Sequence, residues 1–384
     1  MAIFFLIMDA ARFTAQAWGA VTAAPEGYPA FVPKPAPRQL ELSQRTWEQL
    51  DEAAHHLGIL TGIGRRLPNP LLLITPYLRR EAVLSSRIEG TQATMSDLYA
   101  SELGQTDLVR APDVEEVRNY ITAHEHGLES SLPLSLRLIR DLHRILMQEV
   151  RGHERHPGEF RRYQNFIGGA NGWDATYVGP PVPQMRELLD DLERFLHEDS
   201  LRPLVQAAVL HYAFEAIHPF GDGNGRVGRL LLPLFLRDRK LLPQPLLYLS
   251  AYFERNRVDY YDGLMRVSTH GDWDGWVRFF LNGVREQAIE AADLAEALLA
   301  LQVRYRDELQ AAHVTANVLA LVDNLFINPL IYTSRAQSLL DVSAPTARAA
   351  IRALEQHGIV REVTGRNWGK LFQADEIYEL LRGD

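Results

Sequence analysis

From Ser43 onward, apolar residues recur three and four apart through most of the chain, the spacing of a helix face turned toward a core. Trp47, Leu50, Ala54 and Leu57 carry the pattern behind Ser43, whose hydroxyl suits an N-cap. A second helix is predicted to begin near Pro76 and to end before Gly90, because proline fits a first turn and glycine a C′ position. Helical periods also cover 113–128, 135–150, 185–197, 204–217 and 227–236, and 273–312 reads as one long helix or a helix pair. Two stretches break the pattern. Residues 27–38 hold four prolines and favour extended backbone. Residues 164–183 hold two short β-prone pieces, 165–167 and 176–178, around Gly168-Gly169 and Asn171-Gly172, the signature of a β-hairpin.

The pattern after about Thr315 predicts a separate module. Val318, Leu319, Val322 and Leu325 give one helix and 333–340 a second. A turn and an amphipathic helix ending at Gly358 follow, and 359–363 and 370–372 bracket a turn at Gly365. Helix, turn, helix and two-stranded wing is the order of a winged-helix module. The expected fold is therefore all-α with a small β-hairpin, plus a C-terminal winged helix. Its expected divisions are 1–110, 111–312 and 313–384.

Composition narrows the chemistry. The chain of 384 residues has no cysteine, which removes disulfides, thiolate metal sites and cysteine nucleophiles and suits a reducing compartment. Of its 40 basic residues only Lys34, Lys240 and Lys370 are lysines, so few candidates exist for any lysine-dependent mechanism. The net charge of −9 argues against bulk binding of nucleic acid. The apolar run at 1–8 lacks a preceding base and a cleavage pattern, so it reads as a terminal extension rather than a signal peptide. No stretch reaches the ~20 apolar residues of a membrane span, and the expected location is cytoplasmic.

The densest chemistry lies at 218–229, HPFGDGNGRVGR. Gly223, Gly225 and Gly228 fit a dinucleotide fingerprint in spacing, but that reading needs a preceding strand, and here helices lie on both sides. A P-loop is excluded because no lysine follows the glycines. Between two helices, Gly223 and Gly225 let the backbone approach a ligand, and the N–H groups opening the next helix form an anion cradle. Arg226 and Arg229 are three apart and are expected to reach toward the same anion, with the Asn224 amide as a further donor. Asp222 beside a phosphate cradle calls for a cation between them, and Mg²⁺ takes carboxylate and phosphate oxygens together. His218 can accept a proton near neutral pH. Together these residues describe phosphoryl or nucleotidyl transfer to a hydroxyl.

At every fixed position, His218 to Arg229 resembles the Fic motif HPFx(D/E)GNGRxxR. The resemblance extends over most of the chain, including an N-terminal stretch like the Fic N-terminal domain. It implies a protein adenylyltransferase that moves AMP from ATP to a Ser, Thr or Tyr hydroxyl. His218 would be the general base and Asp222 the Mg²⁺ ligand. Gly223, Asn224 and Gly225 would hold the α- and β-phosphates, and Arg229 the γ-phosphate, with Arg226, Val227 and Gly228 completing the nucleotide loop. Family kinases carry lysine where Gly225 stands, so Gly225 favours AMP transfer. Ser85, Glu89 and Gly90 match the inhibitory motif (S/T)xxxE(G/N), which implies that Glu89 pairs with Arg229 and displaces the γ-phosphate. In some members the same glutamate supports removal of AMP. Tyr260 and Tyr261 fall in the region that borders the adenine pocket in the family, with a helix-packing pair as the equal alternative. The hairpin at 164–183 matches the flap on which target proteins dock, and a homodimer is among the expected assemblies.

A second function competes: a DNA-binding regulator whose core senses nucleotide. Its basic residues would be Arg335, Arg348, Arg352, Arg361, Arg366 and Lys370, with Trp368 on the wing. They outnumber the acids of 313–373 by only two, which is thin for phosphate-driven affinity, and the module could equally dock protein.

Overall fold

Helix α1 (Gln44–Arg66) starts where the Ser43 hydroxyl accepts the Thr46 N–H at 3.3 Å. The computed structural model describes residues 8–66, 70–102, 111–365 and 369–382. The buried stripe of α1 is Leu50, Ala53, Leu57 and Leu60, so Ala54, expected on the apolar face, is exposed. This stripe lies along α11 (Trp273–Ala311), which is a single helix of 39 residues. Helix α2 (Leu71–Ile88) begins well before Pro76, which sits inside it and costs it the bond to the Leu72 carbonyl. Its end is as expected: Gly90 takes φ +96°, and its N–H reaches the Arg87 carbonyl at 3.0 Å.

Helices α3 (Met95–Glu102), α4 (Ala111–Glu129), α5 (Leu136–Leu146), α6 (Val182–His197), α7 (Pro203–Ile217), α8 (Asn224–Asp238), α9 (Ser250–Arg255) and α10 (Arg257–His270) complete the central body. The α7–α8 pair is its centre. Nearly every residue of α7 is buried, because its sequence is apolar on all sides. Helix α2 packs on α4, α8 and α9, which carries its C-terminal end to the start of α8.

Two antiparallel ribbons flank this body. The prolines of 29–33 do not keep the segment out of a sheet: β1 (Gly19–Ala23) pairs with β2 (Pro29–Pro33), and Pro29 and Pro33 occupy the terminal register positions. Strands β3 (Phe166–Ile167) and β4 (Tyr177–Val178) form the expected hairpin. Met8, Tyr28, Phe31, Ala175, Tyr177 and Val178 pack together, so the first ribbon supports the second from behind.

After α11 come α12 (Ala316–Leu325), β5 (Leu330–Tyr332), α13 (Thr333–Leu340), α14 (Ala344–Gln356), β6 (Arg361–Glu362), β7 (Leu371–Gln373) and α15 (Asp375–Arg382). Strand β7 lies between β5 and β6, antiparallel to both. Arg348 and Arg352 are exposed on α14, whereas Arg361 is held by Asp375 at 2.7 Å. Arg366 and Trp368 lie outside the described residues. Helix α15 returns to pack on α11 and α2, and the apolar core runs unbroken from the body into this region. Among the described residues, no helix is long and apolar enough to cross a membrane.

Candidate active site

His218 caps α7 in the left-handed region, φ +49°, and turns the chain into the glycine loop. Every carbonyl from His218 to Asp222 is tied down. Arg161 Nε and Asn165 Nδ2 donate to the His218 oxygen at 3.0 and 3.1 Å, and the Arg161 N–H donates to Pro219. Asn165 and Asn224 donate to Phe220, each at 2.9 Å. Arg155 donates to Gly221 at 2.9 Å, and His143 Nε2 lies 3.0 Å from the Asp222 carbonyl. His143 also accepts the Gly158 N–H through Nδ1, so its proton is on Nε2, and its ring stacks on Phe220 at 3.7 Å. With the carbonyls fixed, the loop leaves the His218 ring, the Asp222 carboxylate and the N–H groups opening α8.

Which N–H groups these are differs from the expectation. Gly223 is the N-cap of α8, and its N–H is already accepted by Asp222 Oδ1 at 2.6 Å. The Val227 N–H bonds the Gly223 carbonyl at 3.1 Å, and its side chain is buried in the core. The first-turn donors free of the helix ladder are therefore those of Asn224, Gly225 and Arg226. The Asn224 amide does not point at an anion. It clamps Phe220 with both ends, accepting that residue's N–H at 2.8 Å and donating to its carbonyl.

Arg226 is also corrected. It is fully buried and pairs with Glu116 of α4 at 3.0 Å, while Glu116 accepts the Thr91 hydroxyl at 2.9 Å. Arg226 fastens the N-terminal region to α8 and also lies 3.7 Å from Asp222, so of the two arginines only Arg229 bonds Glu89.

Arg229 points to α2 instead. Its Nε donates to the Ser85 hydroxyl at 2.9 Å, and its Nη2 to the Ser85 carbonyl at 3.0 Å and to Glu89 Oε1 at 2.6 Å. A Cβ on Gly225 would overlap Glu89 Oε1, so the carboxylate fills the space directly over the helix start. Burial alone would raise the Glu89 carboxyl, but Arg229 beside it, and Arg226 further off, pull it below the usual range. Glu89 is thus an anion on the anion cradle.

His218 is half-buried, and its Nδ1 lies 3.3 Å from the Glu215 carbonyl. A carbonyl only accepts, so the proton is on Nδ1 and the lone pair on Nε2. Burial first, and the charge of Arg161 second, lower this imidazole to about 4, so it is neutral at pH 7. Tyr261 borders the same cluster: burial, then the charge of Glu89, raises its hydroxyl, and Arg257 lies over its ring at 5.8 Å. Asp222 is one partly exposed carboxylate, and no cluster of three or more acidic or imidazole ligands occurs among the described residues. That donor set suits a cation shared with phosphate oxygens, as Mg²⁺ is in nucleotide sites.

The hairpin presents β3 outward. Tyr163, Phe166, Ile167 and Trp173 are exposed, whereas Tyr177 and Val178 of β4 are buried and the Tyr177 hydroxyl donates to Ala216 at 2.6 Å. Arg155, Arg161, Asn165 and His143 were not foreseen. Asn165 carried one signal, opening the first β-prone piece of the predicted hairpin, and Arg161 another, just before it; the other two carried none.

Residues 47–129 match the Fic/DOC family N-terminal region, and 133–236 match the Fic/DOC family. The protein adenylyltransferase Fic of Drosophila virilis is 34% identical over 163 residues, which is 42% of this chain and 30% of that protein. The corresponding protein of Drosophila melanogaster is 32% identical over 163 residues, 42% of this chain and 29% of that one. The matched segment therefore spans under a third of those relatives. A Fic family protein from Desulfovibrio desulfuricans G20 shares the fold with a TM-score of 0.57 at 22% identity, covering 89% of this chain and 98% of its own. Fic-1 of C. elegans gives 0.51 at 21% identity, covering 66% and 73%. With both domain matches adjacent and the glycine loop intact between α7 and α8, residues 47–236 of this chain carry a Fic/DOC family N-terminal region followed by a Fic/DOC family domain.

Proposed function

We propose that this chain transfers AMP from ATP to a hydroxyl of a target protein, and that Glu89 holds the site closed until it is withdrawn. The reading is carried by His218, a neutral imidazole with a free Nε2 at the mouth of a loop whose carbonyls are all tied back. The N–H groups of Asn224, Gly225 and Arg226 take phosphate oxygens, and Arg229 takes the terminal phosphate once Glu89 leaves. The target segment lies along the open edge of β3, where backbone bonds hold it and exposed side chains read it. Its hydroxyl oxygen bonds the α-phosphorus, Nε2 of His218 takes the hydroxyl proton, and pyrophosphate leaves. Negative charge brought in by the triphosphate raises the basicity of His218. Asp222 would hold Mg²⁺ jointly with the phosphates, and that cation neutralises charge there.

Gly225 supports AMP transfer over phosphate transfer, since the family's kinases carry lysine at that position. Absence of cysteine suits action in the cytoplasm. We read the region from α12 to α15 as a winged helix that docks protein rather than DNA, because its bases exceed the acids of 313–373 by only two and Asp375 neutralises one of them, Arg361. The test is His218→Ala with labelled ATP. Transfer should fall by about 10²–10⁴ while calorimetric ATP binding persists; transfer at the parent rate would remove His218 from its role.

A further inference from the structure

Helix α7 is apolar almost throughout, and Glu215, one turn before His218, interrupts it. Its Oε1 is shut off from solvent and has no hydrogen-bond partner, a costly condition for a carboxyl. The carboxyl lies against the backbone of α8 at Gly228, where any Cβ would overlap it. Glu89 lies the same way at Gly225. Residues 225 and 228 share one face of α8. Two carboxyls, from α2 and α7, thus seat on glycines flanking Arg229 along α8, and its charge acts on both. Only Glu89 bonds it in this state, and Arg229 Nη1 is used in none of the bonds to Ser85 and Glu89.

We propose that Glu215 takes over from Glu89 as the counter-ion of Arg229 when Glu89 withdraws, keeping the guanidinium in place for the incoming phosphate. The proposal rests on reading Glu89 as a brake. A buried guanidinium stripped of its ion-pair partner is strongly destabilised. A second carboxyl already seated one residue away on the same helix makes withdrawal cheap and gives the side chain a partner to turn to. Glu215 is therefore a positioning residue.

Its protonation follows from the geometry. With Glu89 docked, two acids face one cation. Burial and then the charge of Glu89 raise Glu215, against the pull of Arg229, to about 7. The other groups around it do not change charge near neutral pH. Tyr260 and Tyr261 on α10 are raised by burial, while His211 and His218 on its own helix are lowered to about 3 and about 4 by burial. Withdrawal of Glu89 therefore releases one proton from Glu215. Basal transfer should rise about tenfold per pH unit below about pH 7 and level off above it.

The experiment compares transfer between about pH 5.5 and 8 in the parent chain, Glu89→Gly, Glu215→Gln and Glu215→Asp. The rising limb is expected in the parent and in Glu215→Asp. It should vanish in Glu89→Gly, where Glu215 is already ionised, and in Glu215→Gln, whose basal rate should also fall. A limb and rate unchanged in Glu215→Gln overturn the proposal. Thermal unfolding of Glu89→Gln, Glu215→Gln and the double variant tests it without catalysis. The double should lose more Tm than the two singles summed, because each carboxyl covers for the other. Simple additivity overturns the takeover. Absence of AMP transfer in every variant, with that excess loss intact, overturns the proposed activity and leaves the takeover standing.

Discussion

Glu89→Gly removes the carboxylate that sits on the Gly225 backbone and bonds Arg229 at 2.6 Å. The arginine side chain is 2% exposed and the glutamate 32%, so the pair is shielded on one side and open on the other. A hydrogen bond to a charged group in such a place is worth about 1.5–3 kcal/mol. At 1.36 kcal/mol per factor of ten, the docked state outweighs the withdrawn one by about 10–150-fold. Glycine at the end of α2 costs little helix stability, since Glu89 is already its C-cap and Gly90 turns the chain. Incorporation of AMP, measured with labelled ATP on the protein itself or on lysate targets, should therefore rise by about one to two orders of magnitude. Thermal unfolding run in parallel confirms that the variant is folded. Equal incorporation by a folded Glu89→Gly and by the parent would refute the reading of Glu89 as a barrier.

The Arg226–Glu116 pair predicts a stability effect instead of a catalytic one. Arg226→Ala takes from the buried Glu116 its closest ion partner, leaving the Thr91 hydroxyl and the exposed Arg151 at 3.6 Å, and should cost at most about 3–5 kcal/mol, seen as a fall in the denaturant midpoint; a change within error would contradict the pairing. Acid should also loosen the fold. His124, His143, His211 and His218 are all lowered by burial, to about 3, 4, 3 and 4, so the unfolded chain binds protons that the folded chain refuses as pH drops below about 6.5. Tm should decline from there toward pH 4, opposed only in part by the buried carboxyls Glu81 and Glu215, which are raised. A flat Tm over that range would contradict the burial of these imidazoles.

The glycine loop was legible because its meaning is local: the spacing of Gly223, Gly225 and His218 between two helical periods fixes a helix–loop–helix. Glu89 was legible through the resemblance alone, since nothing in local spacing says that residue 89 meets residue 229. The same gap explains the misreading of Arg226. Being three residues from Arg229 puts it near the same helix face, but its partner comes from α4, 110 residues earlier. Asn224 looked like a donor because the loop's internal closure onto Phe220 is visible only once folded. The β1–β2 ribbon was missed because proline argues against strands in general, whereas here Pro29 and Pro33 sit at ribbon ends. Glu215 left one mark, a single acid in an apolar helix just before the histidine.

The central claim, that this loop passes an adenylyl group and not a phosphoryl group, is tested by a double-label measurement. Folded Glu89→Gly protein is incubated with Mg²⁺ and ATP labelled at the α- or the γ-phosphorus, and protein-bound label is counted. The geometry predicts α-label retained, γ-label absent, and loss of the α-label when His218→Ala is added. Retention of the γ-label alone would contradict it.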